Sequence, residues 1–140
     1  MTDPSFVLDL RSLVEQEIVR EGAWVPDGRI LFKDPASRVV HGAVAFTLDT
    51  RQPDDPKLTL RYDVVRTGEA VRLDVPLRFA AGRARGFRQR FVCPLGCRRT
   101  AVRLHLPGGA TRFGCRSCQR TLLRLSEGPP ALRPTVRLGR

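Results

Sequence analysis

The residues of this chain best able to do chemistry are four cysteines, all inside the stretch FVCPLGCRRTAVRLHLPGGATRFGCRSC, residues 91–118. They form two close pairs, Cys93 with Cys97 and Cys115 with Cys118, and 17 residues separate the pairs. That arrangement fits a zinc ribbon. Each pair would sit in a knuckle, a tight turn between strands. The intervening residues would form a hairpin that brings the two knuckles together: "RTAVRLHL" alternates as a strand, "PGGA" supplies the turn and "TRFG" returns. Zn²⁺ takes four soft ligands at tetrahedral angles, about 2.3 Å from each sulfur. With four thiolates no position stays open for water or substrate, so one such zinc would be structural, not catalytic. A ribbon this small has little core, and metal binding of roughly 10 kcal/mol or more would supply its folding energy.

The second pair, "CRSC", has the usual two-residue gap; the first, "CPLGC", has three. A knuckle normally places a glycine after its second cysteine, where a positive φ is needed. Here Gly96 comes before that cysteine, so the first knuckle is expected to bulge. Unliganded thiols, a disulfide framework and iron–sulfur ligation are the alternatives; the hairpin spacing favours zinc.

The remaining reactive side chains form no catalytic constellation. His105, on an alternating strand between the pairs, reads as an exposed strand residue rather than a fifth ligand. His41 reads the same way, and Asp54 and Asp55 read as solvated turn residues. No histidine stands beside an obvious nucleophile, so the chain is read as a non-enzyme with no small-molecule substrate.

Charge is segregated along the chain. Residues 1–75 carry 10 Lys/Arg and 13 Asp/Glu; residues 76–140 carry 15 Arg and one acid, Glu127. No acid occurs from Pro76 to Leu125. Such a block attracts a polyanion. Arginine outnumbers lysine 23 to 2, as GC-rich coding would produce everywhere, so the segregation argues for function more strongly than the arginine content does. Arg88, Arg90, Arg98, Arg99, Arg103, Arg112, Arg116 and Arg120 are the candidate nucleic-acid contacts, with Arg83, Arg85 and Arg124 nearby. Phe87, Phe91 and Phe113 are interleaved with them and are expected either to pack in the core, the favoured reading, or to stack on unpaired bases. With no strongly basic helix, contacts to the backbone or to single strands are expected, with little base readout. The alternative is a protein-interaction adaptor, whose exposed sheet edge could accept a strand.

These residues need positioning. Ser12 to Glu15 reads as a capping box opening a short helix from about Ser12 to Glu21, with Gly22 as its stop. Period-two alternation then marks strands in "RILFK", "VVHGAVAFTL", "LTLRYDVV" and "AVRLDVPLRF", the last two joined by a turn at "RTGE". The expected fold is mainly β with a minor α component: a small antiparallel sheet with one short N-terminal helix, followed by the zinc ribbon. Residues 1–80 would form the β domain, 81–125 the ribbon, and 126–140 a disordered, basic, proline-rich tail. On this reading Cys115→Ser unfolds the ribbon and spares the β domain. No apolar run approaches the roughly 18 residues that span a bilayer. The N-terminus lacks a basic leader followed by an apolar stretch. A cytoplasmic, reducing location is expected, where paired cysteines more often hold metal than form disulfides.

The pattern "VPL…G…RFVCPLGCRR…VRLHLP…FGCRSC", together with "LDLRSL…EG" and "LTLRY", resembles a family of uncharacterised bacterial proteins over most of residues 8–125. The resemblance implies a zinc ribbon fused to a small β domain, with ligand roles for Cys93, Cys97, Cys115 and Cys118. The chain departs from that pattern in its longer first knuckle, in keeping a single aromatic, Phe91, before it, and in ending "TLLRLS".

Overall fold

In the computed structural model, residues 5–33, 37, 39–64, 66–79, 89–125 and 133–138 are described. The elements in chain order are β1 (Phe6–Asp9), α1 (Leu10–Glu15), β2 (Trp24–Lys33), β3 (Val40–Asp49), β4 (Lys57–Asp63), β5 (Ala70–Phe79), β6 (Gln89–Val92), β7 (Thr100–Ala101), β8 (Arg103–Leu106), α2 (Arg120–Leu125) and β9 (Arg133–Leu138). The protein is mainly β, as its alternation implies. Strands β2 to β7 follow one another as an antiparallel meander, and β9 adds to the free side of β2. A second, two-stranded sheet pairs β1 with β8.

The alternation sorts the meander into two faces. Ile30, Phe32, Val44, Phe46, Leu48, Leu58, Leu60, Leu73, Val75 and Leu77 are buried. Their neighbours Arg29, Arg61, Arg72 and Asp74 are exposed. Gly28 lies opposite Phe46 in the ladder, and a Cβ there would collide with the Phe46 ring. The missing side chain leaves space for that ring to lie flat in the core.

The helix differs from expectation at both ends. Asp9, not Ser12, caps it: its carboxylate accepts from the Arg11 amide at 3.0 Å. The Ser12 hydroxyl instead accepts from Gln16 Nε2 at 2.9 Å. The helix ends at Glu15 because Glu17 turns left-handed, with φ 60°. The Ile18 amide then donates to Leu13 O at 3.0 Å and the Glu17 amide to Val14 O at 2.9 Å. This is a Schellman closure, with Ile18 and Leu13 both buried beside it. A glutamate at the left-handed position gave no signal in the sequence. Gly22 does adopt φ 73°, but in the following loop, which Thr50 ties down through the Ala23 amide at 2.7 Å.

The segment read as a disordered tail contains β9. Its register with β2 runs from Gly28↔Leu138 to Lys33↔Arg133. Without it, β2 would present a long unpaired edge, which proteins commonly cover. Proline is tolerated in such an edge strand, so the proline and arginine content that suggested disorder does not prevent pairing. Val136 packs against the core. The rest of the expected tail, residues 126–132 and 139–140, lies outside the described residues, as do residues 80–88.

Pairing crosses the boundary drawn after residue 80 in two places. Strand β6 continues the sheet through β5, with Leu77↔Phe91, and β1 pairs with β8, with Leu8↔Leu104. One apolar cluster holds Leu8, Ile30, Phe46, Leu60, Val75, Phe91, Leu104 and Phe113 together. The Tyr62 hydroxyl donates to Thr111 O at 2.7 Å, clasping β4 to the returning arm of the ribbon. Burial of that ring pushes the phenol up to about 12.

Candidate metal centre

Cys93 follows β6, and its amide donates to Arg99 O at 2.8 Å, closing the first knuckle. The hairpin then forms as the alternation implies. The Ala110 amide donates to Pro107 O at 3.0 Å, and Gly109 takes φ 89° in the turn. His105 and Gly114 exchange backbone hydrogen bonds at 2.7 and 3.0 Å, which sets the second knuckle beside the first.

The four Sγ atoms lie within 4.8 Å of one another and could hold a metal ion. Cys93 Sγ stands 3.9 Å from Cys118 Sγ, and Cys97 Sγ 3.6 Å from Cys115 Sγ. A regular tetrahedron with metal–sulfur bonds of about 2.3 Å has an edge of about 3.8 Å. A disulfide would bring two sulfurs to about 2.05 Å; all four cysteines are free, so the disulfide framework is not formed. Cys93 and Cys115 are buried, Cys97 is half-buried and Cys118 lies at the surface.

Backbone amides prepare the sulfurs unequally. The Arg99 amide, 3.4 Å from Cys97 Sγ, is the main cause that brings that thiol down to about 7. Cys93 Sγ accepts from the Cys115 amide at 3.3 Å, but burial outweighs that bond and pushes its thiol up. Desolvation of the Cys118 sulfur, then its three sulfur neighbours, push it up to about 12. One thiolate forms readily here, and further negative charges at these distances are resisted unless a cation joins them. A soft divalent ion supplies that charge.

The longer first knuckle uses two left-handed residues. Gly96 has φ 88°, and Arg98, directly after the second cysteine, has φ 64°. Arginine thus stands where a glycine would be unstrained. For a side-chain-bearing residue the left-handed region costs roughly 1–2 kcal/mol. Arg98→Gly is therefore expected to stabilise the protein by about 1 kcal/mol, less any entropy gained by the unfolded chain, read as a higher urea midpoint. An unchanged or lower midpoint would show that the Arg98 side chain makes contacts worth more than the strain.

Two residues that sequence reasoning passed over complete the second knuckle. Gln119 is buried, and its Nε2 donates to Arg112 O at 2.7 Å and His105 O at 3.3 Å. It locks the loop before Cys115 to β8. Gly114 leaves room for the Leu95 side chain, which a Cβ would strike. Their adjacency to the second cysteine pair was the available signal. Helix α2, directly after Gln119, was also not expected; it carries Arg120 and Arg124 one turn apart.

The expected nucleic-acid contacts that lie among the described residues fall into three groups. Arg98, Arg99, Arg112, Arg116 and Arg120 are exposed. Arg103 is exposed but meets the Asp9 carboxylate at 3.4 Å, because β1–β8 pairing sets the two opposite each other. Arg90 is half-buried and donates to Gln89 O at 2.9 Å. Arg88 lies outside the described residues, as do Arg83, Arg85 and Phe87. Phe91 and Phe113 are both 0% exposed. Base stacking on them is ruled out by that burial, and core packing is their role. His105 is half-buried rather than exposed, and burial, then the charges of Arg116 and Arg103, hold its pKa below the usual value. His41 is exposed, as are Asp54 and Asp55; Asp55 meets Lys57 at 3.7 Å.

Fold and site define a mainly β protein whose C-terminal hairpin gathers four thiols in position for one metal ion. Compared with family models, curated proteins and solved structures, the chain matches none. No helix among the described residues is long and apolar enough to cross a membrane.

Proposed function

We propose that the four thiolates hold one structural Zn²⁺ and that the protein binds nucleic acid in the cytoplasm through its arginine-rich surface, mainly by backbone or single-strand contacts. The observation that carries this reading is the cluster of four sulfurs within 4.8 Å of one another, with Arg98, Arg99 and Arg116 within two residues of its cysteines, in a segment without a single acid. A closed tetrathiolate centre organises a binding surface rather than performing catalysis. It also carries net negative charge, which offsets part of the arginine field. The bacterial family resemblance of the cysteine segment is compatible with this role and adds no activity of its own.

Two measurements test it. Elemental analysis of freshly reduced protein is expected to return about one zinc per chain; iron with a visible chromophore, or no metal, contradicts the zinc assignment. Affinity for mixed-sequence oligonucleotides is expected to drop by orders of magnitude between about 50 and 200 mM salt. A protein that ignores heparin and nucleic acid at low salt is instead a protein-interaction adaptor.

A further inference from the structure

Counted along the chain, residues 1–75 lean acidic; sheet register regroups them. Arg72 on β5 lies opposite Arg61 on β4, Arg61 opposite Ala45 on β3, and Ala45 opposite Arg29 on β2. The next partner of Arg29 is Arg137 on β9. A single cross-strand row therefore contains four arginine positions and one alanine. Farther along β5, Arg78 lies opposite Arg90 of β6, beside the first knuckle. Arg29, Arg61, Arg72 and Arg78 are exposed, while Ile30, Leu60, Leu73 and Leu77 beside them are buried. Arg29, Arg61, Arg72 and Arg78 thus stand on the face turned away from the core.

Directly opposed residues have Cβ atoms about 4.5–5.5 Å apart, and like charges there repel. Arg61 donates to Thr47 Oγ1 at 2.9 Å. Among the described residues neither Arg61 nor Arg72 has a carboxylate partner. Three acids share this face: Asp74 accepts from Thr59 Oγ1 at 2.8 Å, Asp49 is bound by Arg51 at 3.1 and 3.2 Å, and the exposed Asp63 lies two residues along β4 from Arg61, which leaves the four arginine positions and Lys57 in excess. Trp24, Thr47, Asp49, Lys57, Thr59, Arg61 and Arg72 line a concavity of about 230 Å³. Trp24 is 47% exposed, and Arg51 lies 4.1 Å over its ring. The Arg51 side chain is fixed by Asp49, so the indole is held in place beside the paired guanidiniums.

We propose that this open sheet face binds single-stranded nucleic acid, with a phosphate between Arg61 and Arg72 and an unpaired base against Trp24. The inference rests on the nucleic-acid reading above and places a main contact on the sheet as well as on the ribbon. Guanidinium pairs match phosphate oxygens, and an exposed indole beside them is the stacking platform that single strands use. A duplex would offer phosphates to the arginines but keep its base faces covered.

Trp24 is the only tryptophan of the chain, so its emission reports this site directly. An end-labelled oligothymidylate of about 10 nucleotides, within the range of known single-strand sites, is titrated at low salt. Label anisotropy and Trp24 emission are read together. Quenching of Trp24 in step with the anisotropy rise is expected. Arg61→Ala combined with Arg72→Ala should weaken binding about tenfold or more and flatten the salt dependence by about 0.7 in log–log slope, the share of the one phosphate they hold. Arg98→Ala combined with Arg116→Ala should weaken binding by the ribbon's own share, while the same Trp24 quench is still reached at saturation. Binding without any change in Trp24, or binding lost only with the ribbon pair, overturns the sheet site while nucleic-acid binding stands. A duplex that binds and quenches equally well overturns the single-strand assignment. No binding of any oligonucleotide at low salt overturns both this inference and the reading beneath it.

Discussion

Removing zinc from the loaded, reduced protein, by chelator or by Cys115→Ser, is expected to unfold the whole chain in one transition rather than to release the ribbon alone. The reason lies in the shared core. Phe91, Leu104, Leu106 and Phe113 come from the C-terminal half, yet they belong to the cluster that holds Ile30, Phe46 and Leu60. Leu8 and Phe6 reach that cluster by pairing with β8. If the knuckles come apart, β8 loses the segment bridged to it at His105–Gly114, and β1 loses its partner. The magnitudes agree: structural zinc binding contributes roughly 10–16 kcal/mol in small modules, while whole domains of this size are stable by roughly 5–15 kcal/mol. Trp24 sits on β2, away from the sulfurs, and reports the fate of the sheet. Its emission and the far-ultraviolet β signal should change together at one chelator concentration. A sheet signal that persists after the metal leaves would show that the β domain stands alone, as the boundary after residue 80 implied.

Phe113→Ala is expected to cost about 3–5 kcal/mol, the range for deleting a buried aromatic. The ring has no solvent exposure. It meets Tyr62 edge-on at 5.7 Å and stacks on Phe32 at 6.3 Å, and Phe32 in turn contacts Phe6 at 4.8 Å. This series of rings joins β1, β2 and β4 to a residue two positions before Cys115. Truncation leaves a cavity between the sheet and the second knuckle, so zinc affinity should fall alongside the urea midpoint of the loaded protein. Phe113→Leu, which keeps most of the volume, should cost less than about 1.5 kcal/mol. Wild-type stability in the alanine variant would mean that the rings do not couple ribbon to sheet. Oligonucleotide binding by whatever fraction stays folded should be unchanged, because a buried ring has no face to offer a base.

The four-cysteine cluster was legible because its signal is local. Two cysteine pairs, an alternating strand and a Pro-Gly-Gly turn specify a hairpin whose ends meet, and the sulfurs lie 3.6 and 3.9 Å apart across the pairs. The sheet was legible for the same reason: alternation at residues such as Val44, Phe46 and Leu48 is a property of one strand. The start of α1 was misplaced because Ser12 and Asp9 are both competent caps. Asp9 prevails because β1 pairing already fixes its backbone and sets it opposite Arg103. Strand β9 was hidden because its prolines and arginines match disordered composition, and its order comes from the open edge of β2.

The strands β2 to β5, the hairpin between the two cysteine pairs and the segregation of charge are readable in the chain alone, since each depends on residues close together in it. That the ribbon shares the sheet's core, that Phe91 and Phe113 are sealed from any ligand, and that Arg29, Arg61 and Arg72 form one row emerge from the folded arrangement. Those outcomes depend on strand register. Register is a relation between distant segments, set by the collective fit of buried side chains, and a shift of one residue would move the arginine row to the opposite face.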